Sequence, residues 1–420
     1  MTVLIISYYI IALLFLILFF RKYYVTPSIV FVLMQITMFS GVLSYCDFNR
    51  SSDQKLAVIY MIALISFISG TYFCSRIHNE SYTNIRLSKN NTLSRTQSTY
   101  IVLMVVVSIL LCSIFFLRAG YNVFIQIVQS ISGNSTGNYT ESRIALNNIS
   151  GVGYVYQFRV IIFPLLTAFL VSYEDNRTVH RIGLCLLPIM LVFLLGTGQR
   201  GGFVMFILMW VVALLYLYKT NKSEKIRRFL IIILTVSVVL FAIMTVFNGR
   251  VEKGMNLLQA MLKRIFDDNQ ECAVYAFRYI DSQPTQWGRD WLLSFRDILP
   301  GKNDYLQLSY VVFNIMYGST RGTAPPCIWG SVFYNWSYFG IIFFPFIMGF
   351  LYHRLYVSFC KTDITKLHIF IYSAMFVVLG NWIADSPLVL FNQGFITLCL
   401  MKFLLIPKVH LIINNHRING

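Results

Sequence analysis

Arginines placed beside glycines at the ends of apolar runs are the residues of this chain best suited to chemistry. Arg200 lies in LVFLLGTGQRGGFVMFILMW, residues 191–210, between two runs apolar enough to cross a membrane. The turn has four glycines that allow a tight bend and the close approach of a ligand: Gly196, Gly198, Gly201 and Gly202. A guanidinium beside the free N–H groups at a helix start can bind a phosphate. The alternative is an interfacial anchor that extends to the lipid headgroups.

Two further arginines stand at comparable places. Arg159, in YVYQFRVIIFP, lies a few residues inside an apolar run, where a salt-bridged structural role is the alternative to ligand binding. Arg321 lies in GSTRGTAPP, whose glycines and prolines exclude regular helix and predict a shaped loop just before another apolar run. Such irregular backbone at a membrane edge is tolerated where it is buried in protein or lines a cavity. We therefore expect these arginines to share an anionic ligand, although the sequence does not show that they meet.

A third candidate region is LKRIFDDNQECAVYAFRYID, residues 262–281. Helical spacing would place its polar side chains on one stripe: Arg264, Asp268, Glu271, Tyr275 and Arg278. Such a helix could lie on a membrane surface and present mixed charge to a ligand. The alternative is an ordinary solvated face with ion pairs between successive turns.

Aromatic residues follow this region. Trp287, Trp291 and Tyr305 offer flat apolar faces of the kind on which sugars stack. Aromatic residues near lipid headgroups also form interfacial belts, which is the alternative interpretation.

The composition indicates the class of fold that positions these residues. The chain has 420 residues, of which 57% are hydrophobic and 12% charged, and its mean hydropathy is +0.66. Soluble domains carry roughly 25% charged residues, so we expect an all-α integral membrane protein. The runs predict a polytopic bundle of about eleven (ten to twelve) helices in a single membrane domain, residues 1–420: 3–20, 27–45, 56–74, 100–117, 156–172, 183–196, 203–218, 229–247, 330–352, 367–384 and 388–406.

Basic residues predict the orientation. They cluster in alternate short loops, near Arg21, Arg76, Arg177, Lys219 and Arg354, which the positive-inside rule places in the cytoplasm. The first run has no basic residues before it and no cleavage site after it, so it is interpreted as a retained helix. The long loop 248–329 then lies outside, where its length exempts it from the charge rule.

Several functions are disfavoured by the same residues. The net charge of +17 is spread among loops, so membrane lipid explains it better than nucleic acid. The eight cysteines lie far apart without a CxxC pair, and no His, Asp or Glu cluster has metal-ligand spacing. We therefore expect no metal and no cofactor.

The layout resembles that of the bacterial O-antigen polymerases, the oligosaccharide repeat-unit polymerases of the Wzy type. The resemblance is carried by TGQRGG, by RIF followed by acidic residues, and by GTAPPCIWGSVFYNWSYFGIIF entering a helix. It covers most of the chain by topology and is specific only in residues 196–202 and about 261–345. The single short TGQRGG turn, in place of a larger arginine-bearing loop, is a departure from some members.

The resemblance implies an activity and a location. It implies a GT-C-like glycosyltransferase of lipopolysaccharide biosynthesis in the bacterial inner membrane, with its site in a large late periplasmic loop. The substrate would be an undecaprenyl-diphosphate-linked oligosaccharide, and a chain-length regulator and a flippase of the same pathway would be partners. Family arginines important for activity correspond to Arg200, Arg264 and Arg321.

The chemistry of a sugar diphosphate agrees with these residue types. Arginine forks, to which we add Arg159, would stabilise the departing pyrophosphate. Asp268 or Glu271, with Asp297 behind them, would act as general base in an inverting displacement. Sugar contacts are expected from a further set: Arg278, Trp287, Trp291 and Tyr305.

Three alternatives remain. A ligase that moves finished O-antigen onto a lipid core shares the layout. A flippase or transporter for the same units is disfavoured because the spans before residue 247 show no matching half after 330. A structural membrane protein gives no reason for Arg159, Arg200 and Arg321 at one face.

Overall fold

A computed structural model describes residues 1–78, 93–131, 146, 151–173, 175–198, 200–247, 255–266, 270–298, 305–319, 322–360 and 364–406. For some of these residues, Arg200 and Arg264 among them, only the backbone is described. Within these ranges the regular structure is helical apart from isolated bridge residues, among them Cys327 and Ala384, which pair in the antiparallel sense.

The described first half of the chain is helical, and most of its helices are 19 residues long or longer. A π-helical turn, Gln157–Ile162, joins the helix Val152–Tyr156 to the helix Phe163–Val171. The bounds are α1 Thr2–Tyr23, α2 Pro27–Tyr45, α3 Ser51–Ile77, α4 Arg95–Ala119, α5 Val123–Ile131, α6 Val152–Tyr156, α7 Phe163–Val171, α8 Arg177–Leu195, α9 Arg200–Asn221 and α10 Glu224–Phe247.

The second half begins with short helices and returns to long ones. The long helix Ile328–Cys360 bends at Ser337, whose φ of 51° and ψ of −150° are not helical. The bounds are α11 Leu257–Phe266, α12 Glu271–Ile280, α13 Arg289–Ser294 with a 3₁₀ turn Phe295–Ile298, α14 Leu308–Tyr317, α15 Ile328–Cys360, α16 Lys366–Gly380, α17 Leu388–Asn392 and α18 Phe395–Leu405.

Local sequence explains where several helices begin and end. Thr26 accepts a hydrogen bond from the Ile29 N–H and is followed by Pro27, which is preorganised for the first helical turn of α2. Ser94 and Gln97 form a capping box at the start of α4, and Gly120 ends α4 in the left-handed conformation. Side-chain and backbone groups thus satisfy the orphan polar atoms at these helix ends.

Eight helices in the described part of the chain are long and apolar enough to cross a membrane. They are α1 to α4, Gly153–Val171, α8, Gly201–Asn221 and α15. The protein is therefore a polytopic helical membrane protein. The other three predicted spans correspond to α10, to the shorter α16, and to α17 with α18, so a count of eleven stays a prediction.

The pair α3 and α15 is packed through small residues. A Cβ atom on Gly70 would lie 2.0 Å from the carbonyl oxygen of Phe346, and one on Gly349 would lie 2.1 Å from that of Phe67. Close backbone approach through glycine is the usual way in which membrane helices gain packing energy.

Two groups of loops lie at opposite ends of the bundle. We call the end that carries residues 255–326 the long-loop side. On this side the long loop contacts α3 through the Arg278–Asp53 and Lys55–Asp281 ion pairs. It contacts α6 through the Tyr154 hydroxyl, which donates to the Ile298 carbonyl. The start of α15 contacts residues 381–394 through the Ile328 N–H, which donates to the Ile383 carbonyl.

We call the opposite end the basic-loop side. Its loops contact each other through the Lys366–Asp175 ion pair and through the Gln97 amide on the Leu405 carbonyl. The grouping of loops agrees with the one predicted from basic residues. That the basic-loop side is cytoplasmic stays a prediction.

The stripe expected along residues 262–281 does not run along one helix. Arg264 belongs to α11, whereas Glu271, Tyr275 and Arg278 belong to α12, and the intervening Gln270 is a turn residue. The expectation of a continuous helix was wrong because periodic polarity alone does not reveal a turn between two short helices.

Candidate anion-binding site

The buried guanidinium of Arg159 is the centre of the candidate site. Arg159 lies in the π-helical turn between α6 and α7 and is 3% exposed. Its Nη1 donates to the Leu194 carbonyl at 2.9 Å and to the Thr197 hydroxyl at 2.8 Å. The Tyr156 ring stacks near it, with 5.7 Å between the guanidinium carbon and the ring centroid. Arg159 therefore contacts the TGQRGG turn directly.

The described residues compensate the charge of Arg159 only in part. Among the described residues, no acidic side chain forms an ion pair with it. The carbonyl end of α8, through Leu194, supplies some negative potential. Because a buried charge without a full counter-charge is costly, an anion bound beside Arg159 would be favoured.

The local geometry requires glycine at position 196, just before TGQRGG, and at position 198 within it. A Cβ on Gly196 would lie 2.5 Å from the Asn122 amide nitrogen and 2.5 Å from the Phe116 ring. Gly198 has a φ of +68°, which favours glycine. The Val123 N–H donates to the Gly196 carbonyl at 2.8 Å, so α5 holds the turn from the long-loop side.

The turn leads directly into a helix start. The helix α9 begins at Arg200, so the backbone N–H groups of its first turn and the positive end of its dipole follow the turn held by Arg159. This is the arrangement that binds anions in many proteins.

Part of the predicted site lies outside the described residues. The side chains of Arg200 and Arg264 lie outside the described part of the structure, and so do Arg321 and Asp268 and the side chain of Asp297. Of the expected arginine group, the structure brings Arg159 to the turn that precedes Arg200. The convergence of Arg264 and Arg321 on that turn stays a prediction.

The carboxylate candidate that is described, Glu271, stands at the first position of α12 and is partly buried. An acidic side chain there also interacts favourably with the helix dipole, so a structural role accounts for the position as well as a catalytic one.

Arg278 forms a two-point ion pair with a carboxylate of the protein. Its Nη2 and Nε donate to the two Asp53 carboxylate oxygens at 2.6 and 3.0 Å. Asp53 is 1% exposed and also accepts from the Asp47 N–H at 2.8 Å. With the Lys55–Asp281 pair of 2.9 Å, this contact fixes α12 to α3. A sugar bound by Arg278 would therefore share a guanidinium already bound to Asp53.

The aromatic candidates differ in accessibility. Trp287 is 71% exposed and has a φ of 53°, a conformation that is uncommon for a bulky residue. Trp291 is partly buried, and its Nε1 donates to the Ser331 hydroxyl at 2.9 Å. The Tyr305 hydroxyl donates to Asp290 at 2.9 Å. Of the three, Trp287 has the ring face most open to a ligand.

Two carboxyl groups that the sequence did not single out lie on the long-loop side. Asp290 is 1% exposed, and burial raises its pKa. Burial, together with the nearby charge of Asp290, raises the pKa of Asp385 to about 7. The signal that could have found Asp385 is an acidic residue between the apolar runs 367–384 and 388–406.

A cavity of about 180 Å³ lies on the basic-loop side, away from this site. The ends of α7, α9, α10 and α16 line it, and the residues include Ser172, His180, Asn221 and Lys366. It contains none of the predicted site residues.

Comparison with known proteins gives no relative: no family model, no curated protein and no solved structure matches this chain.

Proposed function

We propose that this protein is an O-antigen polymerase, a GT-C-like glycosyltransferase of the bacterial inner membrane. It would join undecaprenyl-diphosphate-linked oligosaccharide repeat units on the periplasmic face and transfer the growing chain to the newly delivered unit. The observation that carries the proposal is the buried Arg159, which has no acidic partner among the described residues and is hydrogen-bonded to the TGQRGG turn.

The diphosphate of the lipid carrier fits this position chemically. It lies at the headgroup level of a membrane, where a site at the end of a helical bundle can reach it. Phosphate oxygens accept hydrogen bonds from guanidinium groups and from the N–H groups at a helix start. We assign Arg159 and the start of α9, with Arg200, to the diphosphate, and we add Arg264 and Arg321 from the resemblance.

The reaction needs two further functions. The developing negative charge on the departing diphosphate requires fixed positive groups, which the arginines would supply. The acceptor hydroxyl requires a base opposite the departing group, for which Asp268 and Glu271 remain the candidates. Trp287, Trp291, Tyr305 and Arg278 would hold the sugars.

The test uses the purified full-length protein in lipid nanodiscs with synthetic undecaprenyl-diphosphate repeat units. We expect polymer to form without added nucleotide sugar or metal. Arg159→Gln, Arg200→Ala and Arg321→Ala should abolish long chains while the folded protein is still obtained. The matched control is Arg228→Gln, because the Arg228 side chain is 77% exposed on the basic-loop side. Unchanged chain length in Arg159→Gln would contradict the diphosphate role.

Deletion in a producing strain separates the polymerase from its alternatives. The polymerase predicts lipopolysaccharide that carries single repeat units. A ligase predicts lipopolysaccharide without any O-antigen, and a flippase predicts repeat units that accumulate on the cytoplasmic leaflet.

A further inference from the structure

The cavity of about 180 Å³ on the basic-loop side lies where the ends of α7, α9, α10 and α16 meet. Its volume far exceeds the roughly 10–15 Å³ that one water molecule needs, so it can hold a group of several heavy atoms. One part of its lining is polar and the other part is apolar. Such a mixed lining at the end of a helical bundle suits a ligand that is itself part polar and part apolar.

An ion pair forms the charged part of the lining. The Lys366 Nζ atom donates to the Asp175 Oδ2 atom at 2.9 Å. An ammonium group has three N–H donors and a carboxylate has two oxygens, so each partner keeps capacity for a second, oppositely charged group. The two charges cancel, and the lining therefore favours a ligand that carries both a negative and a positive group.

Neutral polar groups lie beside the ion pair. The His180 Nδ1 atom lies 2.6 Å from the Val171 carbonyl oxygen. Because a carbonyl oxygen can only accept, Nδ1 carries the proton, and Nε2 of the neutral ring is left as an acceptor. The Ser172 hydroxyl oxygen accepts from the Trp210 Nε1 atom at 3.0 Å, which leaves its own proton to donate. Both residues line the cavity, which thus offers an acceptor and a donor besides its charges.

The apolar part of the lining continues into surface that faces lipid. Phe229 of α10 lines the cavity, and on the next turn of α10 Ile231 and Ile232 are 55% and 57% exposed. On α8, which contributes His180 to the cavity, Ile182 is 50% exposed. Exposed apolar side chains of this kind mark contact with the membrane. A ligand of this cavity could therefore extend acyl chains along α8 and α10.

We propose that this cavity binds the headgroup of phosphatidylethanolamine, with the phosphate near Lys366 and the primary ammonium near Asp175. In this lipid the phosphate lies nearer the acyl chains and the ammonium nearer the water. The ion pair has the same order, because the Lys366 side chain is 11% exposed and that of Asp175 is 48% exposed. The site lies at the opposite end of the bundle from Arg159 and does not rest on the proposed function.

The charges of the cavity exclude two common headgroups as equal ligands. An anionic headgroup would satisfy Lys366 but would place a second negative charge beside Asp175. The quaternary ammonium of phosphatidylcholine has no N–H group to donate to Asp175 or to the His180 ring. Phosphatidylethanolamine supplies the phosphate and the N–H donors together.

Native mass spectrometry of the purified full-length protein tests the proposal with equal amounts of three lipids of the same acyl chains. The lipids are phosphatidylethanolamine, phosphatidylcholine and phosphatidylglycerol. The wild type should bind phosphatidylethanolamine about tenfold or more over either competitor, because a hydrogen bond to a charged group contributes a factor of that size. Phosphatidylcholine or phosphatidylglycerol bound equally well would overturn the proposal, and this comparison needs no variant.

Two variants separate the two ends of the headgroup. Asp175→Asn should bring the ratio of bound phosphatidylethanolamine to phosphatidylcholine close to one. Lys366→Gln should weaken both lipids together, since both carry the phosphate. Asp281→Asn is the matched control, because it also breaks a lysine pair of 2.9 Å but on the long-loop side. A ratio that stays high in Asp175→Asn, or that falls equally in Asp281→Asn, would contradict the site.

A soluble competitor identifies the source of the headgroup. Glycerophosphoethanolamine, the same headgroup without acyl chains, should displace little phosphatidylethanolamine at equal concentration. Equal competition would show that the free headgroup is the ligand and would overturn the lipid assignment. Absence of polymer formation, with the lipid preference intact, would count only against the proposed function.

Discussion

The Nη1 atom of Arg159 and the hydroxyl oxygen of Thr197 lie 2.8 Å apart, which joins two helical segments that are 38 positions apart in the chain. The same nitrogen also donates a hydrogen bond to the Leu194 carbonyl at the end of α8. One guanidinium thus fixes the end of α8 and the turn before α9. The positive charge of this guanidinium, which is delocalised over its three nitrogens, is the reason we infer an anionic ligand.

Arg159→Lys is expected to reduce the rate of polymer formation about 100-fold or more. A lysine ammonium cannot reproduce the planar guanidinium fork, and removal of one such hydrogen-bond donor costs roughly 10² to 10³ in rate. Polymer yield at a fixed time, measured beside the thermal midpoint, is the test. A lysine variant with wild-type yield would show that Arg159 has only a structural role.

Gly196→Ala should destabilise the protein by about 1–3 kcal/mol, because the new methyl group would overlap Asn122 and Phe116. The matched control is Gly153→Ala in α6, where an added Cβ meets nothing within 4 Å. Thermal melting in detergent compares the two variants. Equal midpoints would mean that the turn is not packed as the structure shows.

Gly349→Ala should separate α3 from α15, since its Cβ would lie 2.1 Å from the Phe67 carbonyl oxygen, a backbone atom that cannot rotate away. A loss of about 2 kcal/mol or more is expected from overpacking. The yield of folded protein and its thermal midpoint are the measurements, and a neutral substitution would contradict the close packing of these two helices.

Arg278→Met should cost about 3 kcal/mol, because it leaves Asp53 buried and unpaired. The double variant Asp53→Leu/Arg278→Met should recover part of this loss. Lys55→Met, which breaks a more exposed pair, should change the unfolding free energy much less. Unfolding in a denaturant series gives the coupling energy, and a value near zero would mean that the Arg278–Asp53 pair does not hold α12.

The pH dependence of stability should change in Asp385→Asn. The pKa of Asp385 is raised from 3.8 in an unfolded chain to about 7 in the folded protein, so between these values the folded state holds a proton that the unfolded state has lost. The contribution of Asp385 to the free energy of unfolding is fully present below about pH 4. It decreases as the pH rises toward 7 and does not change further above that pH. The variant should lack this fall in thermal midpoint, and an unchanged profile would exclude Asp385 as the titrating group.

Much of the architecture could be predicted from composition and spacing. Long apolar runs predicted membrane helices, because only a helix satisfies its own backbone polar groups in lipid. The eight long helices of the described residues confirm the class, whereas the shorter α16 and the broken α17 and α18 leave the number of spans open. The predicted polar stripe along residues 262–281 was wrong, because a turn at Gln270 separates residues that a continuous helix would align on one face.

The sequence by itself determined that this chain lies in a membrane, which loops share a side, and that glycine-flanked arginines stand at helix ends, because hydropathy, basic charge and glycine are local properties. Only the tertiary structure decided that Arg159 reaches the turn before Arg200 and that Arg278 is bound to Asp53. These contacts join residues from 38 to more than 200 positions apart, and they depend on which helices pack together, which no local pattern encodes.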